Sequence, residues 1–328
     1  MPVLSRLFVA SCALFASIAV AEGNYGDNPL AQDLIDELVA EEGFDRQSLE
    51  AVFADAERQE SILKAIARPA EKTKPWYEYR EIFVTEKREN QGVTFFDEHR
   101  DTLARAESET GVPAEIIVAI IGVETYYGRI TGSYRVIDAL STLAFDYPKR
   151  SPFFTKELKN YLMLTRDQKF DPTELKGSYA GAMGFGQFMP SSYRAYAIDF
   201  DGDGIIDIWN NPVDAIGSVA NYFKEHGWRP GEPVVTAALR EGEVPDDWFN
   251  SGLKPERTVG EFEAAGLKPM RELPEDAVAT AMKFELADGY EYWMGLHNFY
   301  VITRYNHSSM YAMSVYQLSQ RLADRVAE

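Results

Sequence analysis

The first residue whose type and setting could do chemistry is Glu124. It closes an eight-residue stretch, 116–123, that contains no charge. A carboxylate at the end of such a stretch is partly desolvated, which favours its protonated form. A protonated carboxylic acid near neutral pH is what leaving-group protonation in glycoside cleavage requires. The bland alternative is a polar group at the wet end of a buried helix. The tail Thr125-Tyr126-Tyr127-Gly128 favours the first reading. Two aromatics beside a carboxyl suit a sugar cleft, and Gly128 supplies a helix stop.

A second block spans 178–192 and includes Ser178, Gly181, Gly184, Gly186, Gln187 and Phe188. Its small residues leave backbone uncovered, for close ligand approach or for a tight structural turn. Gln187 offers both an amide donor and an acceptor. The glycines do not form a phosphate loop, because no Gly-Lys-Ser/Thr follows them.

The third is Asp199-Phe200-Asp201-Gly202-Asp203-Gly204-Ile205-Ile206-Asp207. Acids at loop positions 1, 3, 5 and 9, with glycine at 6, follow the calcium-loop pattern. Asp199, Asp201, Asp203 and the Ile205 carbonyl are the candidate ligands. Position 12 is Asn210, where a bidentate Glu is the rule. Closure falls to Asp214 or to Asp207 with Asn210. The expected role of the ion is structural, since hydrolytic metal chemistry favours open zinc sites or paired ions.

The fourth, 298–309, reads as an apolar alternating strand running into a polar turn, with Tyr305 and Asn306 near its end and Ser308 as a helix cap. Spacing alone leaves open whether Tyr305 and Asn306 face a cleft.

Other chemistries are excluded or disfavoured. One cysteine, Cys12, rules out a disulfide scaffold. Four histidines without H-x-x-x-H spacing argue against a histidine zinc site. A net charge of −19 over 328 residues repels phosphate backbones, so no nucleic-acid partner is expected. No organic cofactor is implied.

The elements that must position these groups are mostly helical. Residues 29–70 show Leu30, Leu34, Leu38 and Val39 on one face, and Asp45 can cap a second helix. Lys74-Pro75-Trp76 reads as a break, with helical character resuming from about 91 to 108. Pro113 opens a helix that is apolar all round and therefore buried. Further helices are expected at 137–145, 153–166 and 213–226, the last between Pro212 and Gly227. Strands are expected at 233–239, 279–286 and 290–294, with a hairpin turn at Asp288-Gly289. A final helix runs from about 308 to 326.

Residues 1–21 read as a secretory signal. Arg6 precedes an apolar run, and Ala19-Val20-Ala21 is an A-x-A cleavage site. Val9-Ala10-Ser11-Cys12 also looks like a lipoprotein cleavage box, but only five residues separate Arg6 from Cys12, short of the usual h-region of about 7–15 residues. Membrane anchoring is therefore not expected unless Cys12 is lipidated.

Glu124-Thr125-Tyr126-Tyr127-Gly128, the 178–192 block, the Asp-rich loop and Tyr305-Asn306-x-Ser308 occur in the order found in the membrane-bound lytic murein transglycosylase B family. The chain resembles that family, in a soluble periplasmic form, from about residue 30 to 328. The resemblance implies an α+β, predominantly helical fold: a lysozyme-like core with an added helical domain and a small antiparallel β domain. It divides the chain into a signal at 1–21, an N-terminal helical domain at 22–107 and a catalytic core at 108–230 with a calcium loop at 199–214. A β-rich domain at 231–297 and a strand, turn and helix at 298–328 follow. It implies a monomer acting on peptidoglycan glycan strands at the β-1,4 bond between N-acetylmuramic acid and N-acetylglucosamine, leaving 1,6-anhydromuramoyl ends. Glu124 would be the sole acid/base. Ser178, Gln187, Tyr222, Tyr305 and Asn306 would line the cleft. Asp199, Asp201, Asp203, the Ile205 carbonyl and Asp214 would hold calcium. One departure is that both Asn210 and Asn211 stand before Pro212, where one residue is expected. A hydrolytic muramidase of the same fold and a non-catalytic, calcium-stabilised peptidoglycan-binding protein are the rival readings. A solute-binding protein fits export and acidity but leaves the 178–192 block without a purpose.

Overall fold

A computed structural model describes residues 24–67 and 74–327. The signal expected at 1–21, with Cys12, lies outside them. The chain opens with α1 (Pro29–Glu42), α2 (Arg46–Asp55), α3 (Glu60–Ile66), α4 (Trp76–Phe83), α5 (Glu86–Glu98) and α6 (Arg100–Thr110). Asn28 caps α1 by accepting from the Leu30 and Ala31 N–H groups, and Asp45 caps α2 by accepting from Ser48. The buried stripe of α1 is Ala31, Leu34, Ile35 and Leu38, while Leu30 stays half exposed. Where Lys74-Pro75-Trp76 reads as a break, Pro75 instead opens α4, since its fixed φ suits a helix start. Helix thus returns at Trp76, well before the expected residue 91.

Next come α7 (Ala114–Thr125), β1 (Tyr134–Arg135), α8 (Val136–Phe145), α9 (Ser151–Gln168), β2 (Lys176–Gly177), α10 (Pro190–Tyr196) and α11 (Pro212–Glu225). In α7 every residue except Glu115 and Glu124 is buried. α5, α6 and α11 pack around it, which is why its sequence has no polar face. β1 and β2 form a two-stranded antiparallel pair, Tyr134 opposite Gly177.

The remainder is β3 (Val235–Arg240), β4 (Arg257–Thr258), α12 (Val259–Ala264), β5 (Leu267–Pro269), β6 (Val278–Glu285), β7 (Tyr290–Gly295), α13 (His297–Tyr305) and α14 (Ser309–Val326). The strands form one antiparallel sheet in the order β4-β6-β7-β3-β5. The β6–β7 turn closes with Gly289 at φ 90° and a Leu286 N–H to Gly289 carbonyl bond.

One expected element is corrected. The stretch from 298 toward Tyr305 is not a strand but the helix α13. Its β-branched run Val301-Ile302-Thr303 favours a strand by propensity. Its buried positions, 298, 299, 301, 302 and 303, instead give the helical spacing needed to pack beside α14 and the 228–234 segment.

A single hydrophobic cluster runs from Tyr25 to Leu322 and includes α1, α2, α7, α9, α11, α13 and α14. A smaller one lies within the sheet region, around Val259, Phe262, Ala281 and Met294. Polar ties join distant segments: Tyr25 donates to Asp146, the Glu57 N–H donates to Asp138, and the Trp76 indole donates to Glu291 of β7 at 2.6 Å.

Candidate active site

Glu124 is the penultimate residue of α7 and only half buried. Beyond it the backbone turns sharply. Tyr126, Tyr127 and Gly128 have φ of 55°, 62° and 79°, two of them non-glycine residues in a region that costs about 1–2 kcal/mol each. Their surroundings hold them there. The Tyr126 and Tyr127 N–H groups bond the Gly122 and Ile121 carbonyls. The Tyr127 ring lies on Gly122, where any Cβ would come within 2.7 Å, and its hydroxyl donates to the Arg88 carbonyl. Thr125 donates to the Phe185 carbonyl at 2.8 Å, joining α7 to the glycine-rich block. The Phe185 ring lies so close over Gly128 that a Cβ there would meet it at 2.2 Å. The end of α7 is thereby fixed in place and direction.

A phenol reaches Glu124 from the far end of the chain. The Tyr311 hydroxyl donates to Glu124 Oε1 at 2.5 Å. Tyr311 sits in the first turn of α14, where Ser308 caps the helix by accepting from its N–H, as expected. Burial first, and the Glu124 charge second, push the Tyr305 and Tyr311 phenols well above their ordinary range. Both remain hydrogen-bond donors throughout the neutral range. Tyr305 donates to the Gly186 carbonyl at 2.5 Å, and only glycine leaves room for its hydroxyl there. Its ring stacks on Phe223 and meets Tyr222 edge-on, with centroids 5.7 and 4.7 Å apart.

The other expected cleft residues fall into two groups. Gln187 has φ 51°, and its Nε2 donates to the Thr131 and Gly184 carbonyls, leaving the amide oxygen as its remaining acceptor. Asn306, half buried, follows Tyr305 at the end of α13. Ser178 and Tyr222 are used internally. The Ser178 hydroxyl accepts from the Ala180 and Ala182 N–H groups, shaping its own turn. Tyr222 is buried and donates to the Arg304 carbonyl at 2.6 Å.

Sequence reasoning missed Tyr311. No local pattern marks it, because its partner is 187 positions away. Its one usable signal is its place three residues after the Ser308 cap. Arg88 was missed too. It lies half buried over the Tyr126 ring at 4.9 Å, and burial holds its guanidinium below its usual range.

The acidic loop is arranged differently. Asp199, Asp201 and Asp203 each direct a carboxylate oxygen to within 4.8 Å of the others. Asp199 also accepts from the N–H groups of Gly202, Asp203 and Gly204, which holds its carboxyl below the usual range. Gly202 and Gly204, at φ 81° and 93°, make the tight curl possible. These are hard oxygen donors on a preformed curl, and they suit a divalent cation. The Ile205 N–H bonds Asp203. Asp214, expected to close the site, is fully buried and lies outside the cluster. Its two oxygens accept from the Phe200 and Asp207 N–H groups, pinning the loop to α11. Asp207 accepts from the Trp209 and Asn210 N–H groups, so it too serves the turn.

The Transglycosylase SLT domain family model matches residues 26–320. The chain is 48% identical over 310 residues to membrane-bound lytic murein transglycosylase B of Escherichia coli (strain K12), covering 92% of this chain and 84% of that protein. The crystal structure of soluble lytic transglycosylase SltB1 from Pseudomonas aeruginosa matches with TM-score 0.88 and 55% identity, over 92% of this chain and 100% of that one. The structure of the Escherichia coli lytic transglycosylase Slt35 in complex with calcium matches with TM-score 0.86 and 46% identity, over 93% and 96%. The chain belongs to the lytic murein transglycosylase B family, and its fold is that of a lysozyme-like core with added helices and a small antiparallel sheet.

Proposed function

We propose that this lytic murein transglycosylase cuts the β-1,4 bond between N-acetylmuramic acid and N-acetylglucosamine in peptidoglycan strands, with Glu124 as its single acid/base and 1,6-anhydromuramoyl ends as its product. The observation that carries this reading is the Tyr311 hydrogen bond to Glu124 at the fixed end of a buried helix. It holds one carboxyl in one orientation among phenols.

The protonated Glu124 gives its proton to the glycosidic oxygen, and the C1–O4 bond breaks. The substrate's own N-acetyl group stabilises the oxocarbenium-like centre. The Glu124 carboxylate then takes the proton from the muramoyl O6 hydroxyl as that oxygen attacks C1, and the acid is restored without water entering the balance. Because O6 is tethered to the reacting ring, its effective concentration exceeds that of an outside nucleophile. A second carboxylate is not needed. Gln187 through its free amide oxygen, Tyr305 and Asn306 orient the muramoyl ring. Ser178 and Tyr222 act by holding the walls in shape.

Asp199, Asp201 and Asp203 would hold calcium, which would neutralise their mutual repulsion and lock the loop before α11. The protein works as a periplasmic monomer. Among the described residues, no helix is long and apolar enough to cross a membrane.

Mass spectrometry of the products from purified peptidoglycan, wild type against Glu124→Gln, tests the reading. Anhydromuramoyl ends made only by wild type are expected. Reducing muramoyl ends would mark a hydrolase, and no product from wild type would leave a binding protein.

A further inference from the structure

The small sheet region holds a pocket of about 320 Å³ that the proposed chemistry does not use. It arises where the chain leaves the edge of β6. Phe249 bridges Ala281 and Arg257 pairs with Ala279, so residues 250–256 arch away from the strand between these two points. Thr280 donates to the Gly252 carbonyl at 2.8 Å and holds the arch. Trp248 forms one wall, its ring covered by the Arg257 guanidinium at 3.7 Å. Lys254 lines the opening and joins no ion pair among the described residues. Arg257 Nη1 forms a long ion pair with Glu261 Oε1 at 3.8 Å, while Glu261 Oε2 accepts from the Thr258 N–H and hydroxyl at 2.8 and 2.9 Å. Glu256 is exposed at the rim.

We propose that this pocket is a subsite for the carboxylate-bearing end of a short peptide carried by the glycan strand, a reading that rests on the function proposed above. A sugar ring is the poorer fit, because the Trp248 face on which it would stack is occupied by Arg257. A carboxylate suits Lys254, with the Arg257 guanidinium, whose pair to Glu261 is long at 3.8 Å, beside it. The rim Glu256 suits an amino group on the same ligand. Asn250, beside the arch, also lines a second hollow of about 300 Å³ with Trp76, Lys283, Ser309 and Met310. Met310 directly precedes Tyr311, which touches Glu124. Under this proposal a peptide on a strand bound at Glu124 reaches the sheet past this second hollow.

Two variants of the full chain test this. Lys254→Glu reverses a pocket charge. Gly252→Phe fills the space, since a Cβ at Gly252 meets nothing within 4 Å and its φ is not left-handed. Initial rates are measured on peptide-bearing strands and on the same strands stripped by an amidase. KM is expected to rise about 3- to 10-fold on peptide-bearing strands only, with kcat unchanged. Equal losses on both substrates, or none on either, overturn the proposal. Independently of catalysis, the free tripeptide L-alanyl-γ-D-glutamyl-meso-diaminopimelate should shift the Trp248 indole NMR signal of wild type and not of Lys254→Glu. No shift, or an equal shift with inorganic phosphate, overturns the subsite. Absence of product from wild type on both strands overturns the function while leaving this binding readout to decide the pocket.

Discussion

At the end of α7 a lone carboxyl meets a buried phenol. In the loop before α11 three carboxyls crowd within 4.8 Å of one another and draw backbone N–H groups around themselves. The functional group is the same and the surroundings are opposite. Glu124 is placed by a helix end that the rest of the molecule constrains, so its carboxyl is held in a fixed direction. The aspartates are placed by a curl of their own making, mostly exposed, where charge gathers for a cation. Chemistry of the first kind needs tertiary structure, while the second kind needs little more than spacing.

The strongest attack on this contrast is Glu124→Gln. Glutamine keeps the hydrogen bond from Tyr311 but cannot donate an acid proton. Turnover on purified peptidoglycan should fall about 1,000-fold or more, with Tm unchanged. Tyr311→Phe comes next. Losing a hydrogen bond to a carboxylate worth about 1.5–3 kcal/mol should lower kcat about 10- to 100-fold. Because that donor stabilises the charged form, its loss should also move the pH–rate profile upward. An unshifted profile would show that the phenol does not act through Glu124.

The loop should answer only in stability. Chelating calcium should lower the wild-type Tm by about 2–4 °C, for about 1 kcal/mol of linked binding, and Asp199→Asn should abolish that difference. Loss of activity at temperatures well below Tm would erase the contrast. The smallest effect belongs to His226, stacked on Tyr222 at 3.9 Å, whose imidazole burial pushes below its ordinary range. The folded state therefore binds fewer protons than the unfolded chain. The His226 contribution is complete above its ordinary pKa of about 6.5 and fades as pH falls through the lowered value. His226→Phe should flatten the dependence of Tm on pH on the acid side of neutrality, while the activity profile set by Glu124 stays as in wild type.

What could be read from the chain follows the same division. The apolar run before Glu124, the Pro212 to Gly227 helix and the Asp288-Gly289 hairpin are local signals, and each element is where its residues put it. The acidic loop is equally local. The segment 298–305 failed because its β-branched residues favour a strand, while its neighbours in space offer a groove that only a helix fills. α4 was hidden because Pro75 looks alike as a breaker and as a starter. Asp214 has the type and nearly the spacing of a ligand, and its spacing did not announce that its two oxygens accept from the Phe200 and Asp207 N–H groups. Tyr311 was invisible because what makes it matter is a partner from another part of the sequence.

That separation of 187 positions has a kinetic side. A ribosome delivers the chain from its N-terminus, so α7 is made long before α14. Until α14 docks, Glu124 lacks its phenol, and the cluster from Tyr25 to Leu322 lacks the helix that packs against α7. The closing contact is also among the most sequence-distant in the molecule, the kind whose loop-closure entropy slows folding. The Tyr311 hydrogen bond to Glu124 therefore reports the docking of the last helix onto the body of the molecule.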